Sequence, residues 1–565
     1  MSRLPLSVAL TALLGCGSAS FAASDVRILI DVSGSMQKND PANLRIPALK
    51  LLTELLPVGT TAGVWLFDSK AEVLVPTGTV DSVWKETARA AANRVHSQGE
   101  FTHIEAALEA GAEGWPLSPN AATPRHVILL TDGVVDVGQD PKASETSRTR
   151  LLTDGLARFR AQGVRINAVA LSDQADRTLL KALADGTDGW FDRVDDAATL
   201  HRVFLHLFEQ TAAPDALPLV GNTFTVDDKV KELTLLVFHP GDAPSLELTD
   251  PNGAVWTVAT AHADSAWQHE AGYDLVTLSA PHAGTWSFNA AADPDNRALI
   301  VTDLALALND LPVNAMPGES LPITAQLLEQ GAPLMRPDFL QLIKADAALI
   351  DSNHEAIRSE LALDVDLGHF AGSATMTDAP GDYRLVVRID GGTFQREQHR
   401  RLKVNGPPFA FSTDPLTTET DGRVIHLTIA ADTDVVNPAT FTGLLELTTP
   451  HASTQVLDLP ALDGSEITLE LGAEYRGDYI LQPWVFAETR AARPIRVKPD
   501  PITVSFGDGL SLAPQAPADA PPAPPPDLAW AEFATVVAIG NLSVGSVLGG
   551  LWCGLRRRAV QLPVL

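Results

Sequence analysis

The run Val26-Arg27-Ile28-Leu29-Ile30 constrains this 565-residue chain more than any other stretch. Apart from Arg27 it is continuously apolar and β-branched, which reads as a strand buried on both faces, as in a parallel sheet. It leads into Asp31-Val32-Ser33-Gly34-Ser35-Met36 and then a helical pattern from Pro41 to Leu56, so the polar residues fall at a strand-to-helix turn. Open α/β sheets bind ligands at such turns. A tight turn containing Gly34 points one carboxylate and two hydroxyls at a single place. That cluster of hard oxygens suits Mg²⁺ or a similar divalent ion, not a soft metal.

The pattern Asp-x-Ser-x-Ser resembles the metal-ion-dependent adhesion site of von Willebrand factor type A domains, which that family completes with a threonine from a later loop and an aspartate after a central strand. Gly99-Glu100-Phe101-Thr102-His103-Ile104 precedes a helical pattern and supplies Thr102 as the matching threonine. Arg125-His126-Val127-Ile128-Leu129-Leu130-Thr131-Asp132-Gly133 is a buried strand ending in Asp132, the matching aspartate. The resemblance implies that Ser33, Ser35 and Thr102 bind the metal directly while Asp31 and Asp132 hold it mostly through water. It also implies an open coordination position for a partner's Asp or Glu. The implied ion is Mg²⁺, with Mn²⁺ or Ca²⁺ as alternatives.

From Val26 to about Thr211 strands and helices alternate. Strands are expected at Val26–Ile30, Gly63–Phe67, Glu72–Val75, Val127–Leu130 and Arg165–Ala170, with a short edge at Trp190 and Phe191. Helices are expected at Pro41–Leu56, Asp81–Val95, Ile104–Gly114, Ser147–Gln162, Arg177–Leu183 and Ala197–Glu209. This order predicts a doubly wound parallel sheet with helices on both faces. Gly163 is expected to stop a helix in the left-handed conformation and Asp176 to cap one.

After Thr211 the period changes to two, as in antiparallel strands. A first β-sandwich is expected over residues 213–302 and Ig-like units over 303–405 and 406–505, each of the latter carrying Gly-Asp-Tyr (Gly381-Asp382-Tyr383, Gly477-Asp478-Tyr479) before a late strand. Two such units in tandem read as a stalk below a type A domain at 23–212.

The ends read as targeting and anchoring. Residues 1–22 form a short export signal with a small-x-small site at Ser20-Phe21-Ala22, and Leu13-Leu14-Gly15-Cys16 offers lipidation of Cys16 as an alternative. Residues 506–532 include Pro521-Pro522-Ala523-Pro524-Pro525-Pro526, a semi-rigid spacer. Residues 533–555 have the length of a membrane-crossing helix, and Arg556-Arg557-Arg558 place the tail 556–565 in the cytoplasm. Cys16 and Cys553 are the only cysteines, so the exported body has no disulfide. These features point to the bacterial envelope, with the body periplasmic or otherwise outside the cytoplasm and the helix in the inner membrane.

A net charge of −29 disfavours nucleic acid as a partner, because phosphate contacts need clustered Lys and Arg. No catalytic constellation emerges. His354-Glu355-Ala356-Ile357-Arg358 begins like a zinc-protease helix but carries Arg358 where the second histidine must lie. Asp293-Pro294-Asp295-Asn296 reads as a turn rather than a calcium loop, and His103 as a loop residue at the rim of the metal face. The reading is a membrane-tethered, metal-dependent protein-binding molecule and not an enzyme. The alternative is a structural envelope component whose metal only stabilises the head, and a hydrolase-associated module is a remote third.

Overall fold

The computed structural model describes residues 24–506 except 120–122, 195, 241–242, 261–264, 271 and 418–422. The export signal, the spacer, the span 533–555 and both cysteines lie outside them. Among the described residues no helix is long and apolar enough to cross a membrane. The chain forms two compact units. The larger takes in the described residues up to Glu474 together with Tyr479–Val504. Among the described residues the smaller takes in Tyr475–Asp478 and Ser505–Phe506, where Ser505 Oγ donates to Asp478 Oδ1 at 2.6 Å.

The N-terminal stretch is an α/β unit. Its strands are β1 (Asp25–Asp31), β2 (Thr61–Phe67), β3 (Ala71–Thr79), β4 (Arg125–Thr131), β5 (Val164–Ala170) and β6 (Phe191–Arg193), ordered β3-β2-β1-β4-β5-β6. Five are mutually parallel, and β3 runs antiparallel to β2 with Phe67 opposite Ala71. The sheet is therefore mixed where an all-parallel one was expected. Three intervening residues cannot make a crossover, so β2 and β3 form a hairpin.

The helices are α1 (Met36–Asn39), α2 (Arg45–Leu55), α3 (Ser82–Ala92), α4 (Ile104–Gly111), α5 (Pro141–Arg150), α6 (Leu156–Ala161), α7 (Arg177–Gly186) and α8 (Ala197–Ala212). Alternating strand residues feed two cores, because successive side chains leave opposite faces of a sheet. Ile28, Ile30, Ile128 and Leu130 pack with Leu49, Leu52, Trp84 and Phe204 from α2, α3 and α8. Leu29, Val127 and Leu129 pack with Ile104, Leu108, Phe159, Leu179 and Leu183 from α4, α6 and α7.

Several expected boundaries move. The helix expected from Pro41 begins only at Arg45, as α2, and the short α1 precedes Pro41; between them lies a turn in which Asn43 adopts φ 52°. The helix expected from Ser147 begins at Pro141, where Asp140 accepts a bond from the Lys142 amide at 3.0 Å. A π-helical turn, Leu151–Gly155, then joins α5 to α6. Asp140-Pro141 is an N-cap and first-turn signal, but the turn after it is polar on every side and has no apolar period. Gly163 takes φ +66°, and Asp176 caps α7 by accepting from the Leu179 amide at 3.0 Å, both as expected.

The following strands are antiparallel except where Asn314–Ala315 runs parallel to Lys403–Val404, and they form sandwiches joined by a shared sheet. Residues 213–302 enclose one core, including Leu233, Leu235, Val276, Trp286 and Phe288. A second core, within 303–405, includes Leu306, Ile323, Phe370, Leu385 and Val387. The short strand Asp215–Leu217 pairs with Arg297–Thr302 on one side and Gln395–Val404 on the other, so one ten-stranded sheet crosses from the first stretch into the second. In the third stretch, Phe409–Thr417, Arg423–Ala431 and Glu466–Gly472 make one sheet, and Thr454–Asp458, Val436–Thr448 and the strand ending at Thr489 contribute to another. Both Gly-Asp-Tyr segments begin a long strand, with Gly381 at φ +154° and Gly477 at φ +123°, values that favour glycine. Tyr383 donates its hydroxyl to Ala379 O at 2.9 Å.

Helix α8 lies between the two architectures. Phe204, Leu205 and Phe208 share a core with Leu236, Tyr273, Leu275 and Leu299 from the β region. Around this contact Arg202 pairs with Asp293 and Asp295 at 2.7 and 2.8 Å, and Glu209 with Arg297 at 2.6 Å. Asp293-Pro294-Asp295-Asn296 is thus a turn, with the Asp295 amide bonded to Asp293 Oδ1 at 2.9 Å, and its carboxylates serve α8.

Candidate functional site

Three loops meet at the carboxyl edge of β1 and β4. The loop after β1 carries Asp31, Ser33 and Ser35, the loop before α4 carries Thr102, and the loop after β4 carries Asp132. Ser33 forms an isolated parallel bridge with Gly99 and Thr102 an antiparallel one with Asp136, so backbone pairing fixes all three. Thr102 and Asp136 exchange N–H···O bonds of 2.8 and 3.0 Å. Gly99 is required by close approach: a Cβ there would stand 2.4 Å from Asp68 Cβ and 2.9 Å from Val32 O.

All five residues expected from sequence belong to this cluster. Ser33 Oγ and Ser35 Oγ are 3.0 Å apart, and Ser35 Oγ donates to Asp132 Oδ1 at 2.8 Å. Asp31 Oδ1 accepts from the Ser33 amide at 2.8 Å. Thr102 Oγ1 lies 3.2 Å from where a Cβ on Gly133 would be, which seats it beside the Asp132 loop. Asp31 and Asp132 are fully buried, Ser33 and Thr102 nearly so, and Ser35 is exposed. The cluster thus has a dry floor and an open rim.

Burial pushes the Asp31 carboxyl up to about 6; the hydrogen bonds from Thr131 and Ser33 work against this, and the neighbouring Asp132 charge adds to it. Two carboxylates with little water nearby favour a cation between the loops. Three neutral hydroxyls and two carboxylates fit a hard divalent ion, and no soft ligand is among them.

A layer of residues that the sequence reading missed holds these groups in place. Thr131 Oγ1 donates to Asp31 Oδ2 at 2.6 Å, and Asn39 Nδ2 to Asp132 Oδ2 at 2.9 Å. Arg45, wholly buried on α2, donates to Asp31 O at 2.6 Å, to His96 O at 3.3 Å and to Ser97 Oγ at 2.7 Å, while pairing with Asp40 at 2.7 Å. Thr131 and Asn39 had a signal, one adjoining Asp132 and the other a helical turn beyond Ser35. Arg45 had none, since an arginine within a helical pattern reads as solvated. His103 is the N-cap of α4: its Nδ1 accepts from the Ala106 amide at 3.2 Å, so it serves the helix.

Comparison with known proteins agrees with the fold of this region. The family model of the von Willebrand factor type A domain matches residues 25–206. Among solved structures, a von Willebrand factor type A protein from Catenulispora acidiphila is 15% identical, with 63% of this chain and 67% of that chain covered and a TM-score of 0.28. The ArnB paralog VWA2 from Sulfolobus acidocaldarius is 14% identical, with the same coverages and a TM-score of 0.24. Proximal thread matrix protein 1 from the mussel byssus, solved with a zinc-occupied MIDAS motif, is 19% identical, with 35% of this chain and 50% of that chain covered and a TM-score of 0.27. The match thus spans half of the mussel chain. No curated protein matches. With strand order, loop cluster and family model in agreement, residues 25–206 are a von Willebrand factor type A domain.

Proposed function

We propose that this protein is a non-catalytic, membrane-tethered binder whose type A domain holds Mg²⁺ and captures an acidic side chain of a partner protein. One observation carries the reading: Ser33, Ser35, Thr102, Asp31 and Asp132 converge with a buried floor and an exposed rim at Ser35. In this reading the three hydroxyls bind the ion and the two carboxylates lie behind them. The ion keeps much of its positive charge, so a carboxylate is the ligand it attracts most strongly. The sandwiches and the spacer carry the domain away from an inner membrane crossed by residues 533–555, with the body outside the cytoplasm. The hard donor set of the cluster favours Mg²⁺ over a soft ion.

The test is a pull-down from bacterial envelope extract with a chain spanning Ala23–Leu512, run with Mg²⁺, with chelator, and with Ser35→Ala. A partner retained only by the native sequence in Mg²⁺ supports the reading. Equal recovery in all three arms overturns it.

A further inference from the structure

We propose that His239, His269 and Asp274 form a second metal site, distinct from the oxygen cluster and suited to a zinc-class divalent ion. His269 and Asp274 lie on neighbouring antiparallel strands, and His239 stands just past the end of the next one. His269 on Ser265–Glu270 lies directly opposite Asp274 on Tyr273–Ser279. Asp274 pairs in turn with Val237 on Val230–Phe238, and His239 stands two positions past Val237, so it shares Asp274's face as a diagonal neighbour. The His239 amide donates to Gly272 O at 3.1 Å, which carries the ladder through this point. One donor atom from each residue falls within 4.8 Å of the other two.

The hydrogen bonds show why a cation belongs there. His239 Nδ1 lies 2.6 Å from Pro240 O; a carbonyl only accepts, so Nδ1 carries the hydrogen. In the neutral ring Nε2 is therefore a bare lone pair, and it faces Asp274 Oδ2 at 3.3 Å. That nitrogen is buried and makes no hydrogen bond, on a side chain only 7% exposed. A lone pair set against a carboxylate is unfavourable, and either a proton on Nε2 or a cation shared by the two groups relieves it. An imidazole oriented by a bond from its other nitrogen to a backbone carbonyl is the usual state of a metal-ligating histidine.

His269 Nδ1 contacts Asp274 Oδ1 at 2.8 Å, and its ring stacks on that of His239 at 5.2 Å. Metal capture exchanges the His269–Asp274 hydrogen bond for coordination, the ring proton moving to the other nitrogen. Two imidazoles and one carboxylate select zinc-class ions over Mg²⁺, and three protein ligands leave a coordination position for water or a further ligand. His269 is 38% exposed, so that position opens to solvent. The bound ion pins the hairpin between Glu270 and Tyr273 to the end of the neighbouring strand.

The experiment titrates the full-length chain with Zn²⁺, and with Co²⁺ as an optical reporter, in excess Mg²⁺ to saturate the oxygen cluster. The expected result is one Mg²⁺-resistant ion per chain, with affinity lowered at least about tenfold in His269→Gln and in Asp274→Asn and kept in Asp132→Asn. His269→Gln alters an exposed side chain and keeps the test informative if a buried variant unfolds. Zn²⁺ binding that Mg²⁺ abolishes, or that both β-region variants retain within twofold, overturns the proposal. Neither outcome bears on partner capture by the type A domain.

Discussion

The oxygen cluster around Asp31 and the imidazole cluster around Asp274 sit in one compact unit and are built in opposite ways. The first gathers residues from three loops spread over about a hundred positions and rests on side chains behind them: Arg45 and Thr131 hold Asp31, Arg45 also reaches the His96–Ser97 stretch, and Asn39 holds Asp132. The second takes residues from adjacent strands, where the backbone ladder alone sets the spacing. A loop-built site can therefore be damaged by residues that never touch its ion, and a strand-built one scarcely can. Ligand type separates them too, oxygen only against nitrogen with oxygen, so the two should sort different ions.

Breaking the support of the loop site should have the largest effect. Arg45→Met strands the buried Asp40 carboxylate and leaves two backbone carbonyls short of a donor. It should cost about 3–5 kcal/mol of stability in denaturant unfolding. In whatever protein stays folded, Zn²⁺ binding at Asp274 should be intact while Mg²⁺ binding is lost. A variant as stable as the native chain would show that the loops hold themselves.

Gly99→Ala comes next. A Cβ there meets Asp68 and the Val32 carbonyl, so the loop must shift, at about 1–3 kcal/mol by thermal denaturation. The tightest glycine of the strand-built site's hairpin is of another kind: Gly272 takes φ +113°, a backbone requirement rather than a crowding one.

Acid separates the sheet from its loops. His126 on β4 is buried, and burial holds its imidazole down at about 3, the Arg165 charge helping and Asp310 opposing. The unfolded chain takes up this proton near pH 6.5 and the folded chain does not. Stability contributed by the neutral ring is complete above that pH and declines as pH falls toward 3. Between pH 7 and 4.5 the unfolding free energy should drop by about 2–3 kcal/mol more in the native chain than in His126→Gln, measured by urea titration.

The smallest effect tests the outermost support. Asn39→Ala removes the bond to Asp132 Oδ2 and should weaken Mg²⁺ about tenfold by calorimetry with little change in melting temperature. Unchanged affinity would mean that Ser35 alone positions Asp132.

The sequence made the loop site readable for the reason that makes it vulnerable: its ligands lie in short motifs where chain direction changes, and such motifs stand out. Asp31, Ser33 and Ser35 stood out within one turn, Thr102 and Asp132 were implied by the resemblance to type A domains, and the α/β alternation through α8 followed from the apolar pattern. Arg45 could not be named, because its burial depends on the His96–Ser97 stretch, distant in sequence, closing over α2. The antiparallel course of β3 was written in its three-residue connection to β2, too short for a crossover, but the overall strand–helix alternation masks it; the early start of α5 was hidden because its first turn is polar. The His239 cluster was invisible for a related reason. Its residues carry no motif, and only the pairing register of three strands brings them to one face. The same holds for the shared ten-stranded sheet, whose junction is the three-residue strand Asp215–Leu217.

Helix α8 gives the molecule a mechanical character. Its apolar side enters the same core as strands of the β region, and Arg202 and Glu209 bind that region's charged groups. A pull on the loop face is therefore carried into the sandwiches through packed side chains and ion pairs. Separating the α/β unit from the first β stretch would thus mean opening a shared apolar core and breaking ion pairs together.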